Sequence, residues 1–141
     1  MPGIKKTVLT EAQDLAGTSD LFLPQSVQYT VAIPVDLTQF TDKEIDADGN
    51  LKPGIPLTRA GLMLDGTVGE FVYGVTVESF KVAADNATLT IADLSDAFDV
   101  PVSLLCAVVR DIAEDVLDRA YTADELAGFD AAGSKCILVD V

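Results

Sequence analysis

Between Asp48 and Val82 the chain carries six of its ten glycines and two of its six prolines, and inside that stretch lies its cleanest strand pattern. Phe71-Val72-Tyr73-Gly74-Val75-Thr76-Val77 is β-branched and aromatic. A period of two puts Phe71, Tyr73, Val75 and Val77 on one face and Val72, Gly74 and Thr76 on the other. Leu62-Met63-Leu64 is a second strand candidate. Between the two, Asp65-Gly66-Thr67-Val68-Gly69 supplies a turn: Asp-Gly provides the positive φ of a two-residue hairpin turn, and Gly69 can absorb a bulge. This predicts a β-hairpin, entered through a Lys52–Gly54 turn, with the rest of the chain added around a small β-rich body.

The flanks add strands and then helices. In residues 27–37, Val27, Tyr29, Val31 and Ile33 share a face opposed by Gln28, Thr30 and Ala32. Pro34 ends or kinks that strand, or places it at a sheet edge. Residues 38–54 are polar and turn-rich. Downstream, Asp85-Asn86 reads as a turn, Thr88–Ile91 as a short strand, and 92–100 as a loop or single turn closed by Pro101. Residues 102–121 fit two readings. As one helix, Leu105, Val109, Ile112, Val116 and Ala120 share a face. As a split, a buried strand over 103–109 precedes a helix from Asp111 to Ala120. Thr122 and Glu125 make a capping box for a further helix, with Leu126 and Phe129 on its apolar side and Gly133 in the turn after it. Lys135–Val141 is a closing strand.

The expected fold class is therefore α+β. It is a small β-rich body of hairpins with a partly closed, barrel-like sheet, one or two short helices near the C-terminus, and an extended N-terminal arm. Residues 1–26 form the arm and 27–141 a single domain. In the arm, Ile4, Val8, Leu9, Leu21, Phe22 and Leu23 recur between turn residues. That is too apolar for a free tail and too broken for a stable helix. Such a segment docks on a partner or lies on its own domain.

Composition narrows the chemistry. The chain of 141 residues has no His and no Trp, and 23 acidic against 9 basic residues give a formal charge of −14. Without His, the commonest general base and the commonest metal ligand are both missing. The charge argues against nucleic acid and anionic membranes as partners. No apolar run reaches the roughly 18 residues of a membrane span, and the N-terminus lacks the apolar run of a secretory signal.

The two cysteines, Cys106 and Cys136, lie in apolar runs, which predicts buried free thiols in a reducing compartment. Asp46, Asp48 and Asn50 match positions 1, 3 and 5 of a calcium loop, but Leu51 and Leu57 stand where Gly and a bidentate Glu belong. An ordinary Asp/Asn/Gly turn is the alternative. The carboxylate groups Asp42/Glu44, Asp111/Glu114/Asp115 and Asp124/Glu125 have no spacing that builds a cleft, and those at 111–118 sit on the polar side of the helix reading, where solvation explains them. Gly66-Thr67-Val68-Gly69 lacks the length and the Lys of a phosphate loop. Nothing positive points to an enzyme, a catalytic residue, a cofactor or a resident metal.

Five pieces together resemble the small head decoration proteins of tailed bacteriophages, those that cap the outer shell of a lambda-type capsid. They are Lys52-Pro53-Gly54-Ile55-Pro56-Leu57, Gly61-Leu62-Met63-Leu64-Asp65, Tyr73-Gly74-Val75-Thr76-Val77, the run Val108-Val109-Arg110-Asp111 with its sequel Glu114-Asp115-Val116-Leu117, and Lys135–Val141. The resemblance covers about two-thirds of the chain and rests on turns and apolar strands that recur in many small β folds. The N-terminal segment is longer than in that family, and the 38–50 loop is extra. The resemblance implies a compact α/β body, a homotrimer, the major capsid protein as partner, and no catalytic residues. It favours a strand for Val102–Val109. It also implies an arm on the capsid lattice, which makes Ile4, Val8, Leu9, Leu21, Phe22 and Leu23 the candidate capsid or trimer contacts. The expected function is a virion structural protein that is made in the host cytoplasm and stabilises the expanded capsid from outside. Two rivals remain: a head-completion or tail-tube ring protein, and a small calcium- or ligand-binding β module.

Overall fold

The computed structural model describes residues 21–82 and 97–140. Its strands are β1 (Gln28–Asp36), β2 (Asn50–Leu51), β3 (Pro56–Leu57), β4 (Gly74–Thr76), β5 (Phe80–Lys81), β6 (Ala97–Val109) and β7 (Cys136–Val139). A 3-10 turn spans Leu37–Gln39, and the two helices are α1 (Arg110–Leu117) and α2 (Ala123–Asp130). The class is α+β, as expected, with α1 and α2 near the C-terminus. The expected strand at Thr88–Ile91 and the turn at Asp85-Asn86 lie outside the described residues.

β6 is the spine. Eight of its first nine positions pair antiparallel with β1, from Asp36 opposite Ala97 to Gln28 opposite Leu105, with the register skipping Tyr29 and Leu104. Val102 and Ser103 pair with β4, and Cys106–Val109 pair in parallel with β7. β4 in turn pairs with β3, and β2 with β5 forms a separate two-stranded ribbon. Among the described residues the main sheet runs β1-β6-β4-β3 without returning on itself, so they do not form the barrel-like closure expected from sequence. Its last strands, β3 and β4, are two and three residues long, too short to curl back to β1.

The expected hairpin is also replaced. β4 is shorter than the 71–77 alternation, and its antiparallel partner is β3, with Pro56 opposite Val75 and Leu57 opposite Gly74. Leu62–Leu64 is not a strand, because its backbone groups have other partners. Met63 N–H donates to Gln39 Oε1 at 2.6 Å, and the Leu62 carbonyl accepts from Thr58 N–H at 2.8 Å. The Asp65–Gly69 turn does form, with the Asp65 carboxylate accepting from Thr67 N–H and Oγ1, but it joins two loops. Upstream of Gly74 the chain leaves the ladder: Val72 N–H donates to the Gly128 carbonyl of α2 at 3.1 Å.

Residues 92–100 were expected as a loop closed by Pro101, yet β6 starts at Ala97 and runs through Pro101. Pairing with β4 begins only at Val102. Among the described residues, Pro101 thus sits where β6 has a strand on one side alone, which is where a strand tolerates a missing N–H. Of the two readings of 102–121, the split one is observed: strand to Val109, helix from Arg110. The buried face of α1 is Ala113 and Leu117, not Ile112 and Val116. Leu105 and Val109 had set that helical phase, and both belong to the strand.

Thr122 and Glu125 make the expected capping box. Glu125 N–H donates to Thr122 Oγ1 at 3.1 Å, and Thr122 N–H donates to Glu125 Oε1 at 2.9 Å. Behind the sheet, Leu37, Leu51, Ile55, Leu57, Val75 and Leu117 are fully buried, each worth about 1.5–3 kcal/mol of transfer free energy. The arm boundary at residue 26 is not a boundary of the body. Leu21 and Phe22 are buried in the core, Phe22 bridges Val108, and Leu23 N–H donates to the Ala107 carbonyl at 3.0 Å. Phe22 and Leu23 therefore meet β6 beyond the end of β1, across a turn at Pro24-Gln25 that the Ser26 N–H closes onto the Leu23 carbonyl.

Candidate functional site

Two arrangements carry the unusual side chains: one exposed end of β1, and one buried ion cluster. Along β1 the strand period places Val31, Ile33 and Val35 at alternate positions; Tyr29 and, just before the strand, Val27 precede them in the sequence. Ile33 and Val35 are buried. Val31, Tyr29 and Val27 are 37%, 69% and 37% exposed. The apolar row thus runs on past the edge of the core. Tyr29 also has φ +55°, in the left-handed region, where a bulky side chain is a backbone outlier. Ser103 anchors this end of the strand: its Oγ lies 3.3 Å from Gln28 N and 2.8 Å from Gln28 O.

The far side of β1 changes along its length. At Pro34 and Val35 the backbone of Gly61 packs against it, and Gln39 Nε2 donates to the Gly61 carbonyl at 2.8 Å. Over residues 28–32, no strand among the described residues pairs with that outer side. A sheet edge of this kind presents free N–H and C=O groups beside exposed apolar side chains, which is how extended segments add to a sheet.

Of the six expected contact residues, Ile4, Val8 and Leu9 lie outside the described residues. Leu21 and Phe22 are spent on the chain's own core and offer no contact surface, while Leu23 is half-buried against β6. Burial wins here because the segment pairs with β6 instead of standing off the body. The exposed row Val27–Tyr29–Val31 was visible in the sequence as a strand face. What the sequence did not show is that the core stops at Ile33.

The buried cluster joins residues far apart in the chain. Arg119 follows α1, Glu44 lies in the 38–50 loop, and Glu125 is in the first turn of α2. Arg119 Nε donates to Glu44 Oε2 at 2.7 Å, and its two Nη groups donate to Glu125 Oε1 and Oε2 at 2.8 and 3.0 Å. Both glutamates are buried. Glu44 Oε1 also accepts from Thr41 N–H and Oγ1. Burial pushes the Glu44 carboxyl up, but the Thr41 N–H and the Arg119 guanidinium outweigh it and hold Glu44 below the usual range. Burial likewise works against the Arg119 charge, and the two carboxylates more than compensate.

Among the described residues, every buried side-chain polar atom has a hydrogen-bond partner. The cluster is therefore a clamp of three segments, with its oxygens already committed. Glu44 and Glu125 are both shielded from solvent. Charge pairs across 75 positions leave no local pattern to find.

The acidic loop is held by its own backbone. Asp46 Oδ1 accepts from Asp48 N–H at 2.9 Å and Asn50 N–H at 3.0 Å, the geometry of an Asx turn. Among the described residues no group of three or more His, Cys, Asp or Glu side chains gathers around a point that could hold a metal, and no helix is long and apolar enough to cross a membrane. No family model matches the chain, and neither a curated protein nor a solved structure matches it.

Proposed function

We propose that this is a binding protein that acts by assembly: a decoration protein that attaches to the outside of an assembled phage head and stabilises the expanded lattice. The observation that carries the reading is Tyr29, an exposed aromatic held at positive φ on an open sheet edge between exposed Val27 and Val31. Strained, exposed apolar positions persist where a partner uses them. The sequence resemblance from Lys52 onward supplies the kind of partner, the major capsid protein, and the homotrimer.

The physical logic is mass action. A protein that binds only the expanded lattice stabilises it by the free energy of binding, and many copies on a repeating surface gain through multivalency. A formal charge of −14 keeps free copies apart before assembly. The test is sedimentation of purified protein with expanded heads that lack decoration, together with light scattering of the free protein. Saturable binding at a fixed stoichiometry, with heads that resist heat longer, is the expected result. Heads that neither bind the protein nor gain heat resistance would overturn the reading.

A further inference from the structure

We propose that Cys106 and Cys136 form a reversible intrachain disulfide that staples β7 to β6. The two residues are direct partners in the parallel β6–β7 pairing. Partners on neighbouring strands lie about 4.8 Å apart, inside the roughly 4.4–6.8 Å Cα window of disulfides. Their side chains emerge on the same face of the sheet, because paired positions share a face. Both thiols are free and buried. Cys136 Sγ further lies 3.5 Å from the Ser103 carbonyl oxygen, which keeps it over β6.

A thiol pair this close has an asymmetric chemistry. The neighbouring Cys136 thiol and burial push the Cys106 thiol up, while the contact with Cys106 holds that of Cys136 down. Cys136 is the attacking sulfur in this proposal. It is also the first residue of a four-residue strand whose only strand partner among the described residues is β6. Local opening of such a short edge strand is enough to expose it.

The oxidant is a small-molecule disulfide. The Cys136 thiolate attacks one of its sulfurs, the small S–S bond breaks, and one small thiolate leaves. Cys106 then loses its proton to solvent and attacks Cys136 Sγ. The mixed disulfide breaks, the second small thiolate leaves, and the Cys106–Cys136 bond remains. The protein gives up two electrons and two protons, and the small disulfide takes up both. The bond closes a loop of about 30 residues that contains α1 and α2 and so removes freedom from the unfolded chain.

The test uses the full chain with an excess of oxidised glutathione, quenched in acid. The expected product is a monomer lighter by two hydrogens, with Cys106 and Cys136 in one cross-linked peptide. Its melting temperature should rise by about 5–10 °C and return to the starting value with dithiothreitol. Cys106→Ser and Cys136→Ser should each stop at a stable mixed disulfide and lose the thermal shift. Three results for the native chain would overturn the proposal: glutathione adducts as the end product, an interchain dimer, or unmodified thiols even in mild urea that opens β7.

Discussion

Tyr121 donates its phenolic hydrogen to the carbonyl oxygen of Gly54, 2.6 Å away and buried. This bond ties the segment between α1 and α2 to the turn that leads into β3. The ring also meets Phe129 edge-on, with centroids 5.6 Å apart. Tyr121→Phe keeps the ring contact and strands a buried carbonyl. It should lower stability by about 1–3 kcal/mol, read as a lower urea midpoint with an unchanged slope.

Arg119 holds two buried carboxylates apart from each other's charge. Arg119→Met leaves both without a counter-ion and should cost about 3–5 kcal/mol at neutral pH. The triple replacement Arg119→Met with Glu44→Gln and Glu125→Gln should cost less than the single change, because no buried charge is left over. A triple variant less stable than the single one would mean that packing, and not charge, dominates the clamp.

Glu44 sits below the ordinary carboxyl range in the folded chain. Its contribution is therefore complete above the unfolded value, about 4.3, and is lost as pH falls through the lower folded value. The stability gap between native protein and Glu44→Gln should be widest at pH 6–7, roughly two units above that value, and should shrink on acidification below it. Urea midpoints across that range measure it, and a gap that widens in acid would contradict the assignment.

Gly61 has φ +80°, and a Cβ there would stand 2.0 Å from the Pro34 carbonyl oxygen. Both the turn and the close approach to β1 need the missing side chain. Gly61→Ala should destabilise by more than the roughly 1 kcal/mol of conformational strain alone. Its melting temperature should fall further than that of Gly69→Ala, where φ is +85° but nothing lies within reach.

Tyr29→Asn tests the exposed edge. Asn tolerates the left-handed region better than Tyr, and Tyr29 is largely exposed, so folding stability should hold or rise slightly. Head binding, under the proposed function, should fall at least tenfold, about 1.4 kcal/mol. An unchanged affinity in sedimentation would move the contact elsewhere.

Local signals in the sequence held where one segment decides its own structure. Thr122 and Glu125 cap α2 by bonds that span three residues, and the alternation around Val31 survives as β1. Signals failed where a distant partner competes. Asp65-Gly66 makes its turn, but Gln39 takes the N–H of Met63 and Gly128 takes that of Val72, so the ladder beside the turn never forms. The run at 102–109 was open between helix and strand because its apolar residues suit both. Pairing with β1, β4 and β7 decides it, and none of those partners is within 20 positions on both sides of the run. The exposed end of β1 was legible as a face and illegible as a surface, since exposure depends on where the core ends.

β6 reaches its β1 partner across 61 to 77 positions of chain, and its final parallel partner comes from the last residues described. During synthesis, β1 therefore emerges long before β6 exists to pair with it. Such an order favours slow, late closure of the sheet and leaves an apolar strand waiting beside other nascent chains. Yield of soluble protein should then respond to the pace of translation: cooler, slower expression leaves fewer unfinished chains in contact, while the finished protein's own melting behaviour stays the same.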